Sequence, residues 1–83
     1  MFSLEFENEA KNLENKQEVL EIYKIIHNLE PMTKEIMLLR LHSDLTFKEI
    51  GNLFGKSEQW AKTKYYRGKI KIREELQNKS DNL

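Results

Sequence analysis

From about Lys16 onward, apolar and polar positions alternate with a helical period. Val19, Ile22, Tyr23, Ile25, Ile26 and Leu29 recur at three- and four-residue steps, which predicts an amphipathic helix ending near Asn28. Proline has no N–H to donate and its fixed φ suits a first helical turn, so Pro31 is read as opening a second helix with Ile36, Leu38, Leu39 and Leu41 as its apolar face. Thr46 and Glu49 have the three-residue spacing of a capping box, in which hydroxyl and carboxylate each satisfy a free backbone N–H at a helix start. The short third helix that begins there carries Phe47, Ile50, Leu53 and Phe54 on one side, and Gly55, which tolerates the left-handed conformation, ends it. Ser57 is a good N-cap for a fourth helix from Glu58 to about Leu76, with Ala61, Tyr65, Ile72 and Leu76 along one face.

The expected fold is therefore all-α, a small domain of about four helices over residues 16–77. Residues 1–15, MFSLEFENEAKNLEN, lack a helical period and are read as an acidic lead-in, and 78–83 as a flexible polar tail. Eighty-three residues suffice for one modest core, and 39% hydrophobic against 34% charged residues suits helices with one buried stripe each. No apolar run approaches the roughly 20 residues of a membrane span, and the N-terminus lacks the basic-then-apolar order of a signal peptide, so a cytoplasmic location is expected. With no cysteine there is neither a disulfide framework nor a thiolate metal site. His27 and His42 fall near helix ends, where capping or solvation is the ordinary role, and no nucleophile–base pair accompanies them. Glu74 and Glu75 are helical neighbours that point apart, which excludes them as an acid–base pair. Neither enzymatic activity nor a metal or cofactor is expected.

The formal net charge of zero conceals a segregation. Residues 1–30 hold seven glutamates against Lys11, Lys16 and Lys24, so the rest of the chain is basic. Between Lys56 and Arg73, the cations Lys56, Lys62, Lys64, Arg67, Lys69, Lys71 and Arg73 face Glu58 alone. Attraction to phosphate depends on the local field, so a nucleic-acid partner is compatible with overall neutrality.

Two helices joined by a short Gly-containing turn, the second basic and Ser-capped, form the pattern of a helix-turn-helix from Thr46 to about Tyr66. Gly51 would allow a close crossing, Gly55 the turn, and Ile50 with Ala61 the internal contact. Early in the fourth helix, Glu58, Gln59, Lys62, Thr63 and Tyr66 avoid the Ala61 and Tyr65 face and would meet a major groove. Tyr65 is assigned to the core, while Trp60 stays open between packing and stacking. Lys56, Ser57, Lys64 and Arg67 are the candidates for phosphate contacts, which orient without reading sequence.

The segments LEPMTKEIMLLRLHSDLTFKEIGNLFGKS and EQWAKTKYYRGKIKIREEL, covering Leu29 to Leu76, resemble the minus-35-reading C-terminal domain of sigma-70-family RNA polymerase sigma factors, especially the extracytoplasmic-function group. The carrying features are the Leu-Pro-like opening, the Leu-Arg run, Glu-Ile before a small residue, and the Ser-capped basic helix. Trp60 stands where that family often has Thr, Ala61 where Val is frequent, and Gly68 where Ala is usual. Gly in a helix interior costs about 1 kcal/mol relative to Ala, so the last helix is expected to weaken past Gly68. No promoter-melting domain accompanies the segment, which fits an excised domain or a stand-alone relative.

The resemblance implies base reading by Glu58, Gln59, Lys62 and Thr63. Their chemistry suits it: Lys donates to guanine, Gln pairs with adenine, Glu accepts from cytosine, and the Thr methyl touches thymine. It also implies promoter DNA, the beta flap of the polymerase core and an anti-sigma factor as partners. Two alternatives stand beside promoter reading. One is a protein-interaction module that docks on polymerase or an anti-sigma factor without touching DNA. The other is a response-regulator type of helix-turn-helix, which usually ends soon after its recognition helix and so lacks the long basic extension YYRGKIKIREEL.

Overall fold

A computed structural model describes residues 16–81, with side chains through residue 78; the lead-in assigned to residues 1–15 lies outside this range. The described residues form four helices and no strands: α1 (Lys16–His27), α2 (Pro31–His42), α3 (Phe47–Leu53) and α4 (Glu58–Asp81). The all-α expectation holds for the described residues, and the predicted starts at Pro31, Phe47 and Glu58 coincide with observed ones. No helix among the described residues is long and apolar enough to cross a membrane.

Local hydrogen bonds explain the boundaries. At the start of α2, Glu30 takes the N-cap role usually given to Ser, Thr, Asp or Asn: its carboxylate accepts from the Met32 N–H at 2.9 Å and the Thr33 N–H at 3.2 Å. The Thr33 hydroxyl donates to the same carboxylate at 2.6 Å, and Pro31 occupies the first turn. At α3 the capping box is complete, the Thr46 N–H reaching Glu49 Oε1 at 2.8 Å and the Glu49 N–H reaching Thr46 Oγ1 at 3.1 Å. Gly55 then adopts φ +67°, and the Gly55 and Lys56 N–H groups donate back to the carbonyls of Asn52 and Gly51. That pair of bonds is a Schellman C-cap.

The buried faces depart from expectation in two places. On α2 the innermost residues are Thr33, Ile36 and Met37, whereas Leu38, Leu39 and Leu41 are half-buried. The face is chosen by α4, whose Gly68 admits Met37 and Thr33: a Cβ there would lie 2.9 Å from Met37 Sδ and 2.9 Å from Thr33 Cγ2. On α3, Leu53 is 64% exposed. At about 100° per residue it is rotated away from Phe47, Ile50 and Phe54, and Gly51 completes the buried face instead.

The core comprises Ile22, Ile25 and Ile26 of α1, Ile36 and Met37 of α2, Phe47 and Ile50 of α3, and Ala61, Tyr65 and Ile72 of α4. Tyr65 meets the Phe47 ring edge-on at 5.3 Å, and α4 packs against each of the other helices. It continues to Asp81 rather than stopping near Leu76, since Gly68 is followed by no further Gly or Pro before its end and Lys71 pairs with Glu75 one turn on. Arg40 fixes the α2–α3 connection, donating to the Leu45 carbonyl at 2.6 Å with its guanidinium 4.6 Å from the Phe47 ring centroid.

Candidate nucleic-acid interface

The feature that places the candidate site is the turn of four residues between α3 and α4. A Cβ on Gly51 would fall 2.5 Å from the Ser57 carbonyl oxygen and 2.9 Å from that of Lys56, so only glycine lets the start of α4 lie this close to α3. Ser57 caps α4 as expected, its hydroxyl oxygen accepting from the Trp60 N–H at 3.0 Å. Both ends of the turn are thereby fixed, and with them the direction in which α4 projects.

The four candidate base-reading residues lie on the first two turns of α4, outside its buried Ala61 and Tyr65 face. They fall into two pairs one turn apart. Lys62 Nζ stands 3.6 Å from Glu58 Oε2, and Gln59 Nε2 donates to Thr63 Oγ1 at 3.4 Å. Glu58 and Gln59 are exposed, and Lys62 and Thr63 half-buried. The ion pair is exposed and hence weak, so a base edge in a groove can compete for either partner at little cost. Tyr66 borders the same face, 39% exposed, with its ring edge-on to Tyr65 at 5.3 Å. Beside it a cleft of about 560 Å³ runs between α4 and the start of α3, lined by Arg40, Asp44, Thr46, Phe47, Glu58, Lys62 and Tyr66.

The basic window does not form one continuous cationic face. Lys64 reaches Glu30 at 3.8 Å, Lys71 reaches Glu75 at 3.6 Å, and Lys62 is held by Glu58. Lys69 is only 9% exposed, its stem covered and its ammonium 5.8 Å from the Tyr66 ring centroid. Of the residues named for phosphate contact, Lys56, Ser57 and Arg67 are exposed and Lys64 is half-buried. Lys56 and Arg67 form no ion pair within the described residues. Lys56 and Lys64 meet over one ring: each ammonium lies 5.9 Å from the Trp60 centroid.

The fold adds Glu30 to this neighbourhood and gives Trp60 a packing partner. Glu30 couples the α2 cap to α4 through Lys64, and its carboxyl titrates below the ordinary value of 4.5, held down first by the Thr33 hydroxyl and the Met32 N–H, against desolvation that raises it, with the Thr33 N–H and Lys64 adding less. Trp60, left open by the sequence, packs on Phe54 with ring centroids 5.5 Å apart. The histidines lie at helix ends as expected, and Tyr23 Oη is 3.0 Å from His42 Nε2.

Comparison with protein-family models, curated proteins and solved structures finds no match to this chain.

Proposed function

We propose that this chain is a sequence-specific DNA-binding domain of the helix-turn-helix kind, in which α3 braces the backbone and α4 enters the major groove. The observation that carries the reading is the outward face of α4 behind the glycine-locked turn, where Glu58 with Lys62 and Gln59 with Thr63 present donors, acceptors and a methyl group together. The resemblance to the minus-35-reading domain of sigma-70-family factors narrows the proposal to promoter recognition in bacterial transcription initiation, with catalysis belonging to the polymerase. Protein partners in that setting are the polymerase beta flap and an anti-sigma factor. The groove between α1 and α4, lined by Lys24, Ile25, Asn28, Leu29, Lys71 and Glu75, supplies an apolar floor with a charged rim for one of them.

The test is selection from a randomised duplex library at low salt, with retained molecules sequenced over several rounds. Enrichment of a short motif that disappears for a Gln59→Ala, Lys62→Ala variant is the expected result. A folded protein that retains no sequence preferentially rejects base reading and leaves the protein-interaction alternative.

A further inference from the structure

Trp60 is the chain's single tryptophan, and both an aromatic ring and two cations lie against it. The indole rests on Phe54 yet stays half-buried rather than enclosed. Two ammonium groups from different parts of the chain converge on it, Lys56 from the turn and Lys64 from the second turn of α4, each 5.9 Å from the ring centroid. Glu30 is the carboxylate paired with this group, through Lys64 at 3.8 Å, and its oxygens already accept from Met32 and Thr33. One carboxylate, committed to capping α2, thus stands against two cations, and the cluster is left with excess positive charge beside an accessible indole.

The cluster is also held in place. The Lys56 N–H donates to the Gly51 carbonyl at 2.8 Å, and the Trp60 N–H is tied to the Ser57 hydroxyl. The backbone carrying Lys56 and Trp60 is therefore set by the same close approach that positions α4. At about 100° per residue, Trp60 and Lys64 lie on the edge of α4 beyond Gln59 and Thr63, on the side away from Lys62 and Tyr66. A helix of about 10–12 Å diameter in a major groove about 12 Å wide brings its edges against the sugar–phosphate walls.

We propose that Trp60, Lys56 and Lys64 form a contact site for the sugar–phosphate backbone of one strand of duplex DNA, the two ammonium groups facing phosphate oxygens and the indole covering the sugar edge between them. This rests on the DNA-binding reading of α4 and adds to it a strand-specific wall contact, with Trp60 as a positioning residue that reads no base. Binding of phosphate brings Lys64 a second anionic partner and Lys56 its first among the described residues, so the contact gains affinity without breaking the α2 cap.

The single tryptophan makes the test direct. Binding of the whole chain to a 20-base-pair duplex is followed by anisotropy of a dye on the DNA, while acrylamide, a neutral quencher, reports access to Trp60 in the same samples. The expected result is saturable binding with Trp60 quenching falling at least twofold, and a Lys56→Gln variant whose log K against log salt slope is smaller in magnitude by about one. Trp60→Phe, which retains an aromatic ring against Phe54, should weaken binding to selected and scrambled duplexes by the same factor, its fold checked by circular dichroism. Binding with unchanged quenching and an unchanged Lys56→Gln slope would overturn the wall contact and leave α4 as the reading helix. Protection by single-stranded but not duplex DNA would overturn it in favour of base stacking, and no binding to any duplex would overturn both.

Discussion

Gly51 lies against the backbone of Ser57 so closely that a methyl group on Gly51 would sit 2.5 Å from the Ser57 carbonyl oxygen. The obstacle is main chain and cannot rotate aside. Gly55, by contrast, has open space around it and is needed only for its φ of +67°. Gly51→Ala should therefore cost about 3 kcal/mol, the upper end for overpacking, and Gly55→Ala about 1–2 kcal/mol for the left-handed backbone. Urea denaturation of both variants checks the order. Equal losses would mean that the α3–α4 crossing gives way to a methyl group more easily than the Gly51–Ser57 approach implies.

Gly68 presents the opposite balance. Alanine there gains about 1 kcal/mol of helix propensity but meets Met37, which is fully buried, and the Thr33 methyl, whose rotamer is held by the hydroxyl bond to Glu30. Gly68→Ala should be net destabilising by about 1 kcal/mol. In a Thr33→Ser background, which removes the methyl and keeps the hydroxyl, the loss should shrink. A gain in stability from Gly68→Ala alone would show that α2 and α4 have slack at their crossing.

Glu30 gives stability a pH dependence of known sign. Its carboxyl titrates lower in the folded chain than the ordinary 4.5, so the ionised form is favoured by folding. The contribution is fully present above pH 4.5 and is lost as pH falls through the lower folded value. Glu30→Gln should be less stable than the parent at pH 7, with the difference closing as pH falls below 4.5 and through the lower folded value, where the parent carboxyl protonates. Thermal melts of the two proteins from pH 7 to pH 3 measure this, and a constant gap across the range would assign the effect to cap geometry alone.

Lys62 and Arg67 should separate by the kind of DNA affinity they carry. Lys62→Ala is expected to weaken binding to the preferred duplex by about 1–3 kcal/mol and to narrow its advantage over a scrambled one. Arg67→Gln should weaken both duplexes alike and reduce the magnitude of the salt slope by about one. Titrations at several salt concentrations on both duplexes distinguish these outcomes. Uniform loss from Lys62→Ala would move that residue to the phosphate group.

The starts of α2, α3 and α4, the Thr46–Glu49 capping box, the Ser57 cap and the turn at Gly55 were legible in the linear chain because each is decided by groups within three or four residues of one another. The same locality made Glu58, Gln59, Lys62 and Thr63 recognisable as residues outside the buried Ala61 and Tyr65 face of α4. What depended on distant approach was not legible. Met37 displaced the neighbouring leucines from the centre because α4 comes closest where Gly68 lacks a side chain, and Leu53 turned outward because Gly51 occupies the contact with the next helix. The basic run from Lys56 to Arg73 read as a single field, yet a charge is expressed only after its neighbours in space are counted. Folding brought Glu30 to Lys64 and covered the stem of Lys69, and it gathered Lys56 and Lys64 over Trp60. Short-range bonding along the backbone determined where the helices begin, whereas only the packing of one helix on another decided which side of each was buried and which cations remained for a partner.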